Sequence, residues 1–117
     1  MKIKTNREIA EKPVEMEGAQ NVRMKILLGT EDGSNNIILR RFSIRPGGHT
    51  PHHRHPYEHL VKVEKGRGIA IDEAGHELSL GEGQSAFVPA DSTHQFRNPY
   101  GEPFEFLCII PNPEKKG

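Results

Sequence analysis

Apolar residues in this chain fall in short alternating runs separated by frequent turn chemistry. In "NIILRRFSIR", Ile38, Arg40, Phe42 and Ile44 share one face, because residues two apart in a strand point the same way. In "EHLVKVE", His59, Val61 and Val63 point one way, whereas Glu58, Leu60, Lys62 and Glu64 point the other. The charges mark that second face as wet. Phe104, Phe106, Cys108 and Ile110 group together opposite Glu105, and His94 groups with Phe96. Strands are predicted over 22–29, 36–45, 58–64, 67–72, 77–80, 84–89, 93–97 and 103–110. Turn signals such as "EDGSNN", "RPGGHTP", "EKGRG" and "DEAGHE" lie between them. Many short strands at this spacing predict an all-β sandwich or barrel. Residues 7–17 hold at most a turn or two of helix, since Pro13 interrupts them.

Composition narrows this reading. The 117 residues suit one domain, with an N-terminal segment 1–21, a barrel over 22–111 and a polar tail 112–117. Only 33% of residues are hydrophobic, and the shortfall lies at the two ends, so the middle must bury its apolar residues efficiently. Sixteen basic residues balance sixteen acidic ones, which argues against a nucleic-acid partner. The longest apolar run, "FLCII", is too short to span a bilayer, and no apolar signal core opens the chain. A single cysteine cannot form an internal disulfide and fits a reducing compartment, so a cytoplasmic protein is expected.

Candidate chemistry is concentrated in "HTPHHRHPYEH", which holds five of the seven histidines. An expression tag would sit at a chain end and run unbroken. A polar loop is the other bland reading. Against it, His53, His55 and His59 keep one parity, with a bend at Pro56 able to swing them around one centre. His94 arrives on a distant apolar face. Imidazole nitrogen is a ligand for Zn, Cu, Fe, Ni and Mn. His49, His52 and His76 are expected to face solvent from their parity and turn positions.

The spacing is specific. Gly47 is followed by five residues, then His53 and His55; after three more comes His59, and after six more Gly66. Downstream, Gly83 is followed by five residues, then Pro89, Asp91, His94 and Asn98. Together these resemble the two cupin motifs in order, with a hairpin linker at 67–82. The resemblance covers about residues 36–111 and implies a cupin (jelly-roll) barrel. There are two departures. Asp91 replaces a motif glycine, a substitution that aspartate's tolerance of left-handed backbone allows. His59 stands where the motif has glutamate; Glu58 is one residue early and on the wet face. With "HPYEH" and "EFLCIIP", the chain is similar to a subgroup of small four-histidine cupins that bind manganese. His53, His55, His59 and His94 are the ligands this implies, with manganese first and Fe, Ni or Zn as alternatives.

Four neutral imidazoles leave the full cation charge in place and two positions open at a six-coordinate ion. That suits oxygen activation or Lewis-acid catalysis. A closed tetrahedral zinc site would be structural, and the resemblance argues against it. The expected pocket walls are Phe42, Phe96, Phe104, Phe106 and Ile110, suited to a small organic substrate. Arg40, on that inward face, either reaches the pocket and holds a carboxylate or oxyanion, or pairs with Glu or Asp at the barrel's edge. Cys108 is either a buried apolar residue or a thiol lining the pocket. The leading expectation is a metal-dependent oxygenase; the alternatives are a non-catalytic binding module and an isomerase or lyase. The resemblance also implies a homodimer, with segment 1–21 free to cross onto a partner subunit.

Overall fold

The computed structural model describes residues 1–114; the last three residues of the expected polar tail lie outside the described residues. The chain folds as an antiparallel, nearly closed β-barrel, and no α-helix occurs among the described residues. In chain order the strands are β1 Lys12–Pro13, β2 Gln20–Leu28, β3 Ile37–His49, β4 His59–Lys65, β5 Arg67–Ile71, β6 Glu77–Gly81, β7 Ser85–Val88, β8 Gln95–Arg97 and β9 Phe104–Pro111. All eight expected strands are present; β1 is additional. The weak helical signal at 7–17 resolves into one 3-10 turn at Asn6–Glu8 followed by β1.

The hydrogen-bonded order is β6-β5-β8-β3-β9-β4-β7, with β2 and then β1 added on β3. β3 is the long element. Its first two-thirds pair with β2 and β9, and its last residue, His49, pairs with Arg97 of β8. It thereby carries the chain from one wall of the barrel to the other. This overturns the expectation of a turn at "RPGGHTP". The strand runs through it because Gly47 adopts φ 82° and Gly48 lets the backbone approach Gln20. A Cβ on Gly48 would lie 2.6 Å from the Gln20 carbonyl oxygen. Such a kinked extra residue is how a strand bends around a barrel corner.

The inward faces follow the alternation. Ile44, Val61, Val63, Leu80, Val88, Phe96, Phe104, Phe106, Cys108 and Ile110 form one buried cluster. Phe106 is its centre, with Phe42, Phe96 and Phe104 at ring-centroid distances of 5.4, 5.1 and 5.1 Å. On the outer face, Leu60 pairs with both Phe87 and Ile109, and all three are exposed. An exposed apolar row of this kind is where partner chains pack.

The N-terminal segment lies against its own barrel. Val14 N–H donates to the Val22 carbonyl, Lys25 Nζ donates to the Asn6 carbonyl, and Lys2 and Lys4 both pair with Asp32. Asn112, at the start of the expected tail, is buried, and its amide donates to Thr30 Oγ1 and the Ser34 carbonyl. Among the described residues no helix is long and apolar enough to cross a membrane.

Candidate metal centre

Two loops meet to build the histidine cluster. One is residues 50–58, between β3 and β4; the other is residues 89–94, between β7 and β8. They are tied by backbone bonds, with His53 and His94 exchanging N–H···O contacts of 3.2 and 2.9 Å and Asp91 N–H donating to the His55 carbonyl at 2.7 Å. Asp91 is left-handed at φ 60°, so aspartate does fill the position where the motif has glycine. Thr50 anchors the first loop: its hydroxyl accepts from Phe96 N–H at 2.9 Å, and its carbonyl accepts from Gln95 Nε2. Asn98, the last motif residue, is structural. It is buried, and its side-chain amide donates to the Ile44 and Glu102 carbonyls.

The structure brings His53, His55 and His94 together, with one candidate ligand atom from each lying within 4.8 Å of the others. Only modest adjustment would bring three such nitrogens onto one ion at about 2.1 Å. His59 adjoins this triad, its ring centroid 5.2 Å from His55 and 4.9 Å from His94. It stands outside the tight group but on the same inward side, at the head of β4. Glu58 is exposed, as its parity required. His52 and His76 are exposed as well. His49 corrects the expectation of a solvent-facing ring: it is half-buried in β3, with Nδ1 donating to the Thr50 carbonyl.

The protonation of the cluster suits metal binding. His94 Nδ1 lies 2.9 Å from the Ser92 carbonyl. A carbonyl only accepts, so Nδ1 carries the hydrogen and Nε2 keeps its lone pair for the centre. Nδ1 of His55 and of His59 are buried with no hydrogen-bond partner among the described residues. Burying a polar nitrogen unpaired is unfavourable, so these atoms suit a ligand that completes them. Burial, reinforced by His55 and His94, pushes His53 down to about 4. Burial and His94 push His59 down to about 3. His55 and His94 are also lowered, chiefly by burial. All four rings are therefore neutral near pH 7, the form a cation requires.

These depressed values set the acid response of the metal-free protein. Unfolded histidines take up protons near 6.5, while native His53 and His59 resist until about 4 and about 3. The unfolded state thus binds more protons below 6.5, and stability falls as pH drops through that window. Urea midpoints of metal-free protein are expected to decline between about pH 7.5 and pH 5, above the main carboxylate range. Midpoints that stay level across that interval would show that the rings are not desolvated.

Tyr57 is a member of the site that sequence reasoning missed. Its ring stacks on His55 at 4.9 Å and 20°, and tilts against His59 at 5.2 Å. Burial raises its phenol, and its surroundings include Arg40 and Cys108. The signal was present, since Tyr57 keeps the odd parity of His53, His55 and His59. Cys108 is buried beside Val61, and burial raises its thiol. Arg40 Nη2 donates to its sulfur at 3.2 Å, and the Arg40 guanidinium lies 4.9 Å from the Phe42 ring centroid. Of the phenylalanines expected to wall a pocket, Phe42 is partly buried against the core. Phe104 and Phe106 are packed shut in the core; a Cβ on Gly68 would lie 2.3 Å from the Phe104 ring. Phe96 is buried too and lies 6.1 Å from His94 by ring centroid. A groove of about 660 Å³ opens beside the barrel, lined by Ile110 and Arg40 but by none of the four phenylalanines.

Comparison with known proteins agrees with this architecture. Residues 40–110 match the cupin domain family. A curated relative, 1-methylthio-D-xylulose 5-phosphate methylsulfurylase of Rhodospirillum rubrum, is 39% identical over 79 residues, covering 62% of this chain and 46% of that protein. The chain spans less than half the length of the curated relatives it matches. Among solved structures, the polyketide cyclase RemF of Streptomyces resistomycificus superposes with a TM-score of 0.90 at 28% identity, over 95% of this chain and 79% of that one. A cupin-2 domain protein of Rhodospirillum rubrum gives 0.81 at 28% identity, over 100% of this chain and 77% of that one. Two glycine-to-histidine motifs in register, a barrel whose inward faces converge on neutral imidazoles, and this family match lead to one conclusion: the chain belongs to the cupin domain family.

Proposed function

We propose that the chain is a metal-dependent oxygenase that acts with O2 on a small organic substrate at a mononuclear centre. The observation that carries this reading is the convergence of His53, His55 and His94 within 4.8 Å, with His59 against two of them and no carboxylate in the group. We assign all four histidines as ligands. The orphaned Nδ1 atoms of His55 and His59 support including His59. Neutral nitrogen donors fit manganese, iron, nickel or zinc; manganese comes first through the resemblance to four-histidine cupins. When bound, such an ion supplies Lewis acidity and, for manganese or iron, a redox partner for O2.

The chain's own residues do the rest. The Ser92 carbonyl fixes the His94 ring and its tautomer. Tyr57 braces His55 and His59 through ring contact. Phe96, behind His94, keeps water from the inner side of the centre. Half-buried His53 and His55 leave the outer side open to small molecules. Metal-loaded protein is expected to consume O2 with members of a phenolic and alkene panel, and His94→Ala protein is not. If no substrate draws O2 and His94→Ala protein keeps its role in the cell, the oxygenase reading is wrong.

A second reading is Lewis-acid isomerisation or elimination without O2. It is favoured by two similar proteins, a methylsulfurylase and a polyketide cyclase. Substrate turnover under anaerobic conditions would select it over the oxygenase.

A further inference from the structure

Arg40 is a charge without a counter-charge. It sits on the inward face of β3, opposite Ile26 of β2 and Cys108 of β9. Its neighbours on that face, Ile38 and Phe42, are apolar and packed against the core. Its hydrogen bond from Nη2 goes to the Cys108 thiol, a weak acceptor. Its Nε is buried with no partner among the described residues, and no carboxylate pairs with it there. By contrast, Arg41, its neighbour on the wet face, holds both Glu64 and Glu105. A half-buried guanidinium left this way is unfavourable unless an anion completes it.

Arg40 also touches two spaces at once. Across the sheet it pairs with Cys108 of β9, which pairs in turn with Val61, two residues beyond His59 on the inward face of β4, so it lies on the side of the barrel that carries His59. It also lines the groove of about 660 Å³ between the N-terminal segment and the barrel. The barrel side of that groove is apolar, made by Met24, Ile26, Ile38 and Ile110 around the arginine. The groove falls within the ordinary size for a small-molecule site.

We propose that Arg40 grips the carboxylate of an apolar-bodied organic acid whose body fills this groove, which makes the substrate of the proposed centre a carboxylic acid. The proposal rests on the reading of the histidines as a metal centre. The geometry favours a carboxylate over a phosphate ester on two grounds. One planar guanidinium matches one singly charged carboxylate, with two parallel donors to two oxygens. The groove's outer lining holds Lys4 and Lys12 against Glu8, Glu31, Asp32 and Glu114, an acidic excess that disfavours a dianion.

Calorimetric titration of the metal-loaded and metal-free protein with phenylpropanoate, phenylpropanamide and phenyl phosphate tests this. The acid is expected to bind at least about tenfold more tightly than the amide of the same shape. Arg40→Gln should abolish that ratio, and Arg40→Lys, which keeps the charge but loses the fork, should retain part of it. Ala10→Trp, on the N-terminal segment that lines the groove from its outer side, narrows the groove and should weaken the acid and the amide alike. Equal affinity for acid and amide, or an unchanged ratio in Arg40→Gln protein, overturns the proposal. Tighter binding of phenyl phosphate overturns the choice of carboxylate. Metal analysis of the same samples separates the two claims: wild-type protein that holds no metal defeats the metal centre, while the acid-to-amide ratio still decides the role of Arg40.

Discussion

Replacing His94 by alanine is expected to strip the protein of its metal. His94 is the proposed ligand from the second loop, and its ring is held by Nδ1 donating to the Ser92 carbonyl at 2.9 Å. Losing an outer partner of a metal-bound histidine commonly lowers affinity about 10–100-fold, and losing the ligand itself should do at least as much. Elemental analysis should therefore show metal per chain falling by about tenfold or more. Because His94 is buried, His94→Gln, which keeps most of the volume, serves as the control: it should lose metal equally while melting closer to wild type. The same measurement distinguishes three ligands from four. His59→Ala should lose metal and Glu58→Ala should keep it. The reverse pattern would remove His59 from the ligand set while leaving the His53, His55 and His94 triad standing.

Phe106→Ala should be the most damaging change in the core. Phe106 is 2% exposed and contacts three other phenylalanine rings, so no neighbour can collapse into the space without disturbing the rest. Large-to-small changes of this kind remove about 3–5 kcal/mol. A domain of this size has only about 5–15 kcal/mol in total, so the variant should lie close to unfolding. Denaturant titration gives the value. A loss under about 1 kcal/mol would mean that the Phe106 site relaxes freely and is not the centre of the core. Metal content serves as the control. Phe96 lies between Phe106 and His94, so any residual folded Phe106→Ala protein should still hold metal, which separates core damage from ligand damage.

Much of the barrel was legible because strand parity is a local property. The pattern at 58–64 placed Val61 and Val63 inward and Lys62 and Glu64 outward from neighbours two residues away, and burial follows that pattern. The histidines were legible for the same reason, with spacing and parity selecting His53, His55 and His59. Other features depended on contacts distant in sequence. "RPGGH" reads as a turn, yet it is the end of β3, because Gly48 must pass close to Gln20. His49 reads as solvent-facing, yet pairing with Arg97 of β8 half-buries it. The phenylalanines read as inward-facing, and in the structure Phe42, Phe96 and Phe104 pack against Phe106. Inward parity alone cannot separate a packed core from a lined cavity.

The sequence by itself determined the fold class and the inward faces, and it singled out the histidines as candidate ligands. Each follows from residue type and from a two-residue or motif-length spacing, and none needs a distant partner. Only the tertiary structure decided which imidazoles meet, that Tyr57 stacks on them, and that Arg40 is left without an acid. Those facts depend on where two loops and three strands come together, and on which side chain happens to lie across the barrel. A charge on an inward face is visible in the sequence. Whether another charge answers it is a question of packing, and for Arg40 none among the described residues does.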